Sequence, residues 1–217
     1  MTTTPSRTWA LCGALGGLIG LVGLFVGAEL TSAVGDGIKD NALVVAEIAG
    51  RRNYVWLYQA VSAAAAALLL VFAAGLRRHL AAQEPAGSLV PGVAATGLGL
   101  VAAALVVGGG MSTELYWALG EPDRWDPDTI AAMVEIYNTI AWVWTGAGVA
   151  ALAVAAGGFR HGSVAKWLAL VSTLLGLLVF ATQAYPAQYA ALFPGGLWVI
   201  VAGLAFTFGG RRPAPTA

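Results

Sequence analysis

Long stretches of apolar residues, separated by short polar segments, make up most of this 217-residue chain. Each stretch has about 20 residues, and a helix of that length spans the roughly 30 Å hydrocarbon layer of a bilayer. Backbone N–H and C=O groups in lipid must be satisfied within their own segment, which requires helices. The pattern therefore predicts an all-α fold, a polytopic membrane helix bundle that forms a single domain. Its six predicted transmembrane helices lie at about 9–28, 54–76, 90–112, 134–158, 164–184 and 191–209.

The composition supports the same class of protein. Hydrophobic residues make up 59% of the chain and charged residues only 10%, whereas about a quarter of the residues of a soluble domain are charged. Six spans and their connections use almost the whole length, so we expect no separate soluble domain. The expected partner is the lipid bilayer, and no nucleic-acid partner is expected.

The charges are distributed unequally if the six helices alternate in direction. One side then carries seven basic residues, and the other carries four together with every acid except Glu84. Lys and Arg near span ends are retained in the cytoplasm, so we predict a multi-pass protein of the cell membrane with both termini cytoplasmic. The seven basic residues are Arg7, Arg77, Arg78, Arg160, Lys166, Arg211 and Arg212, and the four are Lys39, Arg51, Arg52 and Arg124.

The first apolar run also admits an interpretation as a secretory signal peptide. A signal peptide has a core of roughly 7–15 apolar residues, and the run at 9–28 is longer. Cleavage would leave five spans and would place Arg211 and Arg212 outside, against the charge rule. We therefore expect this run to be a helix of the bundle, with Cys12, the only cysteine of the sequence, packed in it.

Glycines predict where the first helix packs. Gly16, Gly20, Gly23 and Gly27 follow the spacing that stacks residues along one helical stripe. Small residues in that arrangement let another helix approach closely, so van der Waals packing can hold two helices together in lipid. We expect an internal packing seam rather than a homodimer face.

Two polar connections contain helix signals of their own. The segment 41–49 predicts a short interfacial helix with Val44, Val45 and Ile48 on one side. A lid over an outward-facing cavity is the functional interpretation, but we expect this helix to serve interfacial packing. Asp126-Pro127 is typical of an N-cap followed by proline at the first helical position, so the fourth helix is expected to begin outside the membrane.

Acids near the span ends are the first candidates for chemistry, because no charged residue occurs in the middle of a predicted span. Glu135, Asn138 and Trp142 share one helix face by their spacing. Other carboxylates, amides and aromatic groups are expected at a similar depth, where they would form a polar pocket in the outer leaflet. The predicted ligand-binding residues are Glu29, Tyr58, Gln59, Glu114, Glu135, Asn138, Trp142 and Gln183.

Each of these residues also has an ordinary explanation, because a polar side chain near the interface costs little to solvate. His79 and His161 could ligate a haem iron, but both follow arginines beyond the helix ends, which favours interfacial anchoring. The acids at 113–129 could hold Ca²⁺, but their spacing matches no EF-hand loop. We therefore expect no metal and no cofactor, and we assign no catalytic residue.

A weak internal repeat links two of the predicted hairpins. AAGLRRH at 73–79 and AAGGFRH at 155–161 agree at five of seven positions, and each is followed by a Gly-Ser pair before the next span. Parallel repeats of this kind occur in some transporters. Helices rich in alanine and glycine also match by chance, so the repeat alone does not decide the matter.

Three local features carry a resemblance to a known family. They are Arg7 before an apolar first helix, the GLRRHL sequence that ends the second helix and the VAKWLAL sequence that opens the fifth. On these features the chain resembles a family of small six-helix bacterial membrane proteins of unknown function, common in actinobacteria. Members often carry Leu-Pro-x-Trp-Leu-Gly where this chain has Val164 to Ala169, without the proline and the final glycine. The resemblance implies a fold and a location, and it carries over no functional residue.

Three functions stay open for such a protein. The first is a non-enzymatic bundle that binds a lipid-like or amphipathic small molecule, or that serves as the membrane partner of another protein. The second is an integral membrane enzyme that uses the outer carboxylates as acids, as small membrane terpene cyclases do, although no Asn-x-x-Trp-Glu pattern begins at Asn138. The third is a small transporter, which the repeat favours and the lack of mid-membrane polar groups disfavours.

Overall fold

A computed structural model describes residues 7–32, 34, 40–140, 143–185, 187 and 190–209. The regular structure in these residues is entirely helical and includes a short 3-10 turn at Pro122–Arg124. Lys39, Trp142, Arg211 and Arg212, which the sequence singled out, lie outside the described residues. The α-helices are α1 (Thr8–Ala28), α2 (Asn41–Ala49), α3 (Arg52–Ala81), α4 (Val90–Gly120), α5 (Pro127–Ile140), α6 (Thr145–Arg160), α7 (Lys166–Ala184) and α8 (Leu192–Phe208).

Four of the described helices are long and apolar enough to cross a membrane, namely α1, α3, α4 and α7. Helix α8 is apolar but has only 17 residues. Large apolar side chains, such as Phe25, Leu100 and Leu174, are exposed on the outside of the bundle, where lipid would cover them. The chain is therefore an all-helical protein of the membrane class.

Both polar connections for which the sequence predicted a helix, at 41–49 and after Asp126, contain one. Helix α2 begins where expected, because the Asp40 side chain accepts a hydrogen bond from the N–H of Ala42 at 2.9 Å. Val45 and Ile48 are buried on its inner side. Helix α5 begins at Pro127, and the carboxylate of Asp126 accepts a hydrogen bond from the N–H of Thr129 at 3.0 Å, which confirms the predicted N-cap.

The predicted fourth helix differs from the structure in continuity. Instead of one helix at 134–158, α5 ends at Ile140 and α6 begins at Thr145, with Val143 and Trp144 outside helical geometry. Trp144 is fully buried, where it packs against α1 and α8. Its ring lies against Gly20, and its Cβ would be 3.2 Å from a Cβ added at Gly195. We attribute the interruption to the packing of this large side chain between two other helices.

Glycines set the packing of α1, as predicted. A Cβ added at Gly16 would lie 3.2 Å from the Cβ of Leu68, and one at Gly23 would lie 3.0 Å from a methyl group of Val61. Both partners are on α3, so the glycine stripe of α1 is an internal seam. Helix α1 also packs against α8, α3 pairs with α4, α6 pairs with α7, and α4 joins the two hairpins by packing on α6.

The helices bring the connections together at two ends of the bundle. At what we call the Arg7 end, the Arg7 guanidinium donates to the carbonyl oxygens of Thr207 at 2.8 Å and Gly209 at 2.5 Å, so the first and last helices meet. At the opposite end, the Arg51 end, Arg51 donates to the carbonyl oxygen of Glu29 at 2.7 Å. The connections between α1 and α3 and between α4 and α5 lie at the Arg51 end.

Candidate functional site

The three acids of the predicted outer pocket are exposed. The Glu29 carbonyl accepts from Arg51, and Ser32 donates to its carboxylate at 3.2 Å. Glu114 lies on the last turns of α4, which extends further than the sequence indicated, and its side chain faces outward. Glu135 is on the exposed face of α5. The three acids are therefore on the surface of the described bundle and do not line a buried site.

The three amide residues of the predicted pocket do not lie together in the structure. Gln59 donates from Nε2 to Thr113 Oγ1 at 3.0 Å and so joins α3 to α4. Asn138 is half-buried on α5. Gln183 is exposed on α7, which packs on α6 and α8 rather than on α3, and its amide donates to its neighbour Thr182 at 3.3 Å.

Among the described members of the predicted set, Tyr58 is the one that is buried, and it lies against a second tyrosine. Its side chain is 2% exposed, as is that of Tyr137 on α5. The two ring centroids are 4.8 Å apart at an interplanar angle of 67°, an edge-to-face arrangement. Gly27 of α1 leaves room for the pair, because a Cβ there would lie 3.2 Å from Cδ2 of Tyr58 and 3.6 Å from the hydroxyl oxygen of Tyr137.

Three buried polar groups lie at or near this contact. Within the described residues, the hydroxyls of Tyr58 and Tyr137 and the indole N–H of Trp144 are buried, and for Tyr137 and Trp144 no hydrogen-bond partner is present. Ser62, one turn further along α3, is the polar group that faces the Tyr58 hydroxyl. Trp144 packs on Gly20, two turns from Gly27 and about 10 Å away along α1. The three donors thus follow one stripe of α1.

The face of α5 that the sequence selected is not the face that the structure buries. The choice of Glu135, Asn138 and Trp142 followed the polar residues of that helix. The structure instead buries Ile130, Val134 and Tyr137, which follow the i, i+4, i+7 spacing of a helix face. That apolar periodicity was the signal that could have identified Tyr137.

The chemistry available at this site is donation of hydrogen bonds in apolar surroundings. An indole N–H can only donate, and a tyrosine hydroxyl donates and accepts. Leaving such a group unpaired in the interior costs about 1–3 kcal/mol. A ligand that fits these groups presents acceptor oxygens, such as those of a carbonyl or an ether, on an otherwise apolar body.

The two histidines lie in different surroundings at the Arg7 end. His79 packs against the rings of Trp9 and Phe206, with centroids 5.8 and 5.0 Å away. The Nδ1 atom of His161 is 2.7 Å from a carboxylate oxygen of Glu84. His161 thus contacts a carboxylate of another connection, a contact that the sequence interpretation as an interfacial anchor did not contain.

Comparisons of the chain with protein-family models, with curated proteins and with solved structures gave no match. The resemblance drawn from the sequence therefore stays a prediction. What the protein does must be inferred from the buried side chains of its helices.

Proposed function

We propose that this chain is an integral membrane protein that binds an amphipathic, lipid-like small molecule at Tyr58, Tyr137 and Trp144. The observation that carries the proposal is the buried Tyr137 hydroxyl, which has no hydrogen-bond partner among the described residues although its ring is fully packed. Buried polar groups are paired in the great majority of cases, so an unpaired one calls for an explanation. A bound acceptor oxygen supplies one.

The surroundings of the pair favour an apolar body for the ligand. Val55 lies one turn before Tyr58, and Val134 lies one turn before Tyr137, and both are buried. Tyr58 is six residues into α3 from Arg52, a depth of about 9 Å along the helix. An oxygen-bearing head group at that depth, with its apolar part among the helices, suits a molecule that enters from the lipid.

Removal of the Tyr137 hydroxyl is expected to weaken retention of such a molecule. In mild detergent, native mass spectrometry of the wild-type protein should reveal a co-purified amphipathic adduct. The Tyr137→Phe variant should retain it at least about fivefold less, because one lost hydrogen bond costs roughly 1 kcal/mol or more. Tyr185→Phe is the matched control, since Tyr185 is 74% exposed, and it should behave as the wild type.

What co-purifies with the wild-type protein and with Tyr137→Phe decides between the proposed ligand site and the other interpretations. Wild-type protein without any adduct, or Tyr137→Phe with an undiminished one, contradicts the proposed ligand site. A stoichiometric protein subunit in place of a small molecule supports the role of membrane partner. The enzyme alternative needs acids in apolar surroundings, and the acids described at the Arg51 end are exposed, so we do not propose it.

A small transporter is the second candidate, and the interruption between α5 and α6 favours it. Discontinuous helices form the substrate sites of many transporters, because the interrupted backbone lines the site. Here Trp144, which precedes α6, is also one of the three buried donors. Movement of the retained molecule from one face of a reconstituted vesicle to the other would favour transport over binding.

We also propose that the chain crosses the membrane six times, with both termini in the cytoplasm. Helices α5 and α6 together supply the fourth crossing in two pieces, and α8 supplies the last. The charge asymmetry supports this orientation. The geometry is compatible with it, because Arg7 and Gly209 meet at one end while Glu29 and Arg51 meet at the other.

Labelling of single cysteines tests the orientation. In a Cys12→Ser background, Glu121→Cys should react with a membrane-impermeant maleimide on intact cells, because Glu121 is exposed at the Arg51 end. Ala82→Cys, exposed at the Arg7 end, should react only after lysis. The reverse pattern would show that the orientation is inverted, and labelling of both on intact cells would show that these ends lie on the same side.

A further inference from the structure

The carboxylate at the Arg7 end of the bundle is turned into the protein. Among the described residues, Glu84 is the one acid at this end, and its side chain is 1% exposed. One of its oxygens accepts a hydrogen bond from Ser88 Oγ at 2.7 Å and lies 2.7 Å from Nδ1 of His161. The Ser163 hydroxyl lies beside the other oxygen. Glu84 is therefore not available as a partner for cations on the surface of this end.

The two connections that enclose this carboxylate are built alike. Each turns on a glycine in the left-handed region immediately before a serine, with φ of 84° at Gly87 and 67° at Gly162. The hydroxyls of both serines, Ser88 and Ser163, lie at the Glu84 carboxylate. The Gly-Ser pairs of the internal repeat thus hold the acid between the α3–α4 and α6–α7 hairpins and away from the surface.

Four cationic side chains are exposed on the outside of the same end. None of them forms an ion pair with a described carboxylate, whereas Arg124 at the Arg51 end pairs with Glu121. The surface of the Arg7 end is therefore positively charged, and its charge is complementary to that of an anionic partner. The four residues are Arg77, Arg78, Arg160 and Lys166.

Two of these cations lie where α6 and α7 touch. A Cβ added at Gly158 would lie 2.7 Å from the Cβ of Ala169, so the two helices are in close contact near this end. Arg160 ends α6 two residues after Gly158, and Lys166 begins α7 three residues before Ala169. The two cationic side chains therefore flank one contact between helices.

An exposed apolar stripe continues from Lys166 along α7. Leu170, Leu174 and Leu177 follow at i+4, i+8 and i+11, a spacing that places them on one helix face. Each of these leucines is more than half exposed, as is Phe159 at the end of α6. From Lys166 to Leu177 the helix rises about 17 Å, close to the roughly 15 Å depth of one leaflet of the hydrocarbon layer.

We propose that an anionic phospholipid binds at this place, which we call the α6–α7 corner and which consists of Phe159, Arg160, Lys166 and the leucine stripe of α7. The lipid phosphate accepts hydrogen bonds from the Arg160 guanidinium and the Lys166 ammonium group, and an acyl chain lies along the stripe. Charge-assisted hydrogen bonds to phosphate are strong, and basic pockets between membrane helices bind anionic head groups.

The occupant must be both anionic and apolar. A soluble anion would use the two cations and leave the leucine stripe without a partner, and a neutral lipid would cover the stripe and leave both cations unpaired. The corner is at the Arg7 end, whereas Tyr58 lies near the beginning of α3, which is at the Arg51 end. The proposal is therefore independent of the ligand site at the tyrosines.

Lipid retention by the full chain in mild detergent tests the corner. Native mass spectrometry is carried out with equal amounts of phosphatidylglycerol and phosphatidylcholine that carry the same acyl chains. The wild type should retain the anionic lipid about 25-fold better, since each Lys or Arg near an anionic membrane surface contributes about fivefold. The double variant Arg160→Gln/Lys166→Gln should lose this preference and retain phosphatidylcholine as the wild type does.

The double variant Arg77→Gln/Arg78→Gln is the matched control. It removes the same charge from the same end, but on α3, which packs on α1 and α4. It should keep most of the preference for phosphatidylglycerol. Equal losses in the two double variants would reduce the effect to a diffuse attraction and overturn the corner as a site, as would an undiminished preference in Arg160→Gln/Lys166→Gln. Tyr137→Phe should keep the preference whether or not the tyrosines bind a ligand.

Discussion

Replacement of Gly97 by leucine is expected to abolish the folded bundle. Gly97 on α4 meets Gly146 on α6, where the backbones of the two helices are in contact. A Cβ at Gly97 would collide with the carbonyl oxygen of Gly146 and would lie 2.8 Å from the backbone nitrogen of Ala150. Because backbone atoms cannot rotate away as a side chain does, the two helices must move apart. The cost should exceed about 3 kcal/mol, the upper range for overpacking that side chains can absorb.

Gly99 is the matched control for this substitution. It is on the same helix two residues away, and a Cβ added there meets nothing within 4 Å. Gly99→Leu should therefore leave the yield of monodisperse protein and the apparent Tm near those of the wild type. Gly97→Leu should lose most of the monodisperse fraction in size-exclusion chromatography. Equal behaviour of the two variants would show that the contact between α4 and α6 does not hold the hairpins together.

Features governed by local periodicity could be predicted from the sequence. The apolar runs gave the helical class, and the spacing of Gly16 and Gly23 gave the seam against α3, because both depend only on which residues share a helix face. The N-cap at Asp126 was equally accessible, since its hydrogen-bond partner is three residues away. Such signals need no knowledge of the neighbouring helices.

The interruption between α5 and α6 could not be predicted in this way. No glycine or proline occurs between Ile140 and Thr145, so the usual local signal for the end of a helix is missing. The conformation depends on the space that Gly20 leaves for the indole ring and that Gly195 leaves for the Cβ and carbonyl oxygen of Trp144. Both glycines are remote in sequence, and only the packed bundle shows that they face one side chain.

The candidate site and the contact between Glu84 and His161 show the same limit for polar groups. Tyr58 was among the residues selected from the sequence, but its ring partner Tyr137 was not, because their contact depends on how α3 and α5 pack. Glu84 and His161 are 77 positions apart, and the sequence related neither to the other: His161 was interpreted as an interfacial anchor and Glu84 was assigned no role. The repeated Gly-Ser pairs were the one sequence signal that related their two connections.

The second large effect is expected at Trp198, the centre of the contact between α7 and α8. Its side chain is fully buried, and Nε1 donates to Ser172 Oγ at 2.9 Å. Trp198→Ala removes a large ring and leaves a cavity, which typically costs about 3–5 kcal/mol. For a chain of this size the apparent Tm should fall by about 10 °C. Trp117→Ala, at a residue that is 61% exposed, is the control and should change little.

The hydrogen bond within this contact can be separated from the packing. Ser172→Ala should cost about 1–3 kcal/mol, because the indole N–H is then buried without an acceptor. Trp198→Phe removes that donor, so adding Ser172→Ala to it should cost much less than Ser172→Ala alone. A Ser172→Ala variant as stable as the wild type would show that the indole finds another acceptor. In lipid, where van der Waals contact and hydrogen bonds hold helices together, a contact that supplies both should be among the most sensitive to substitution.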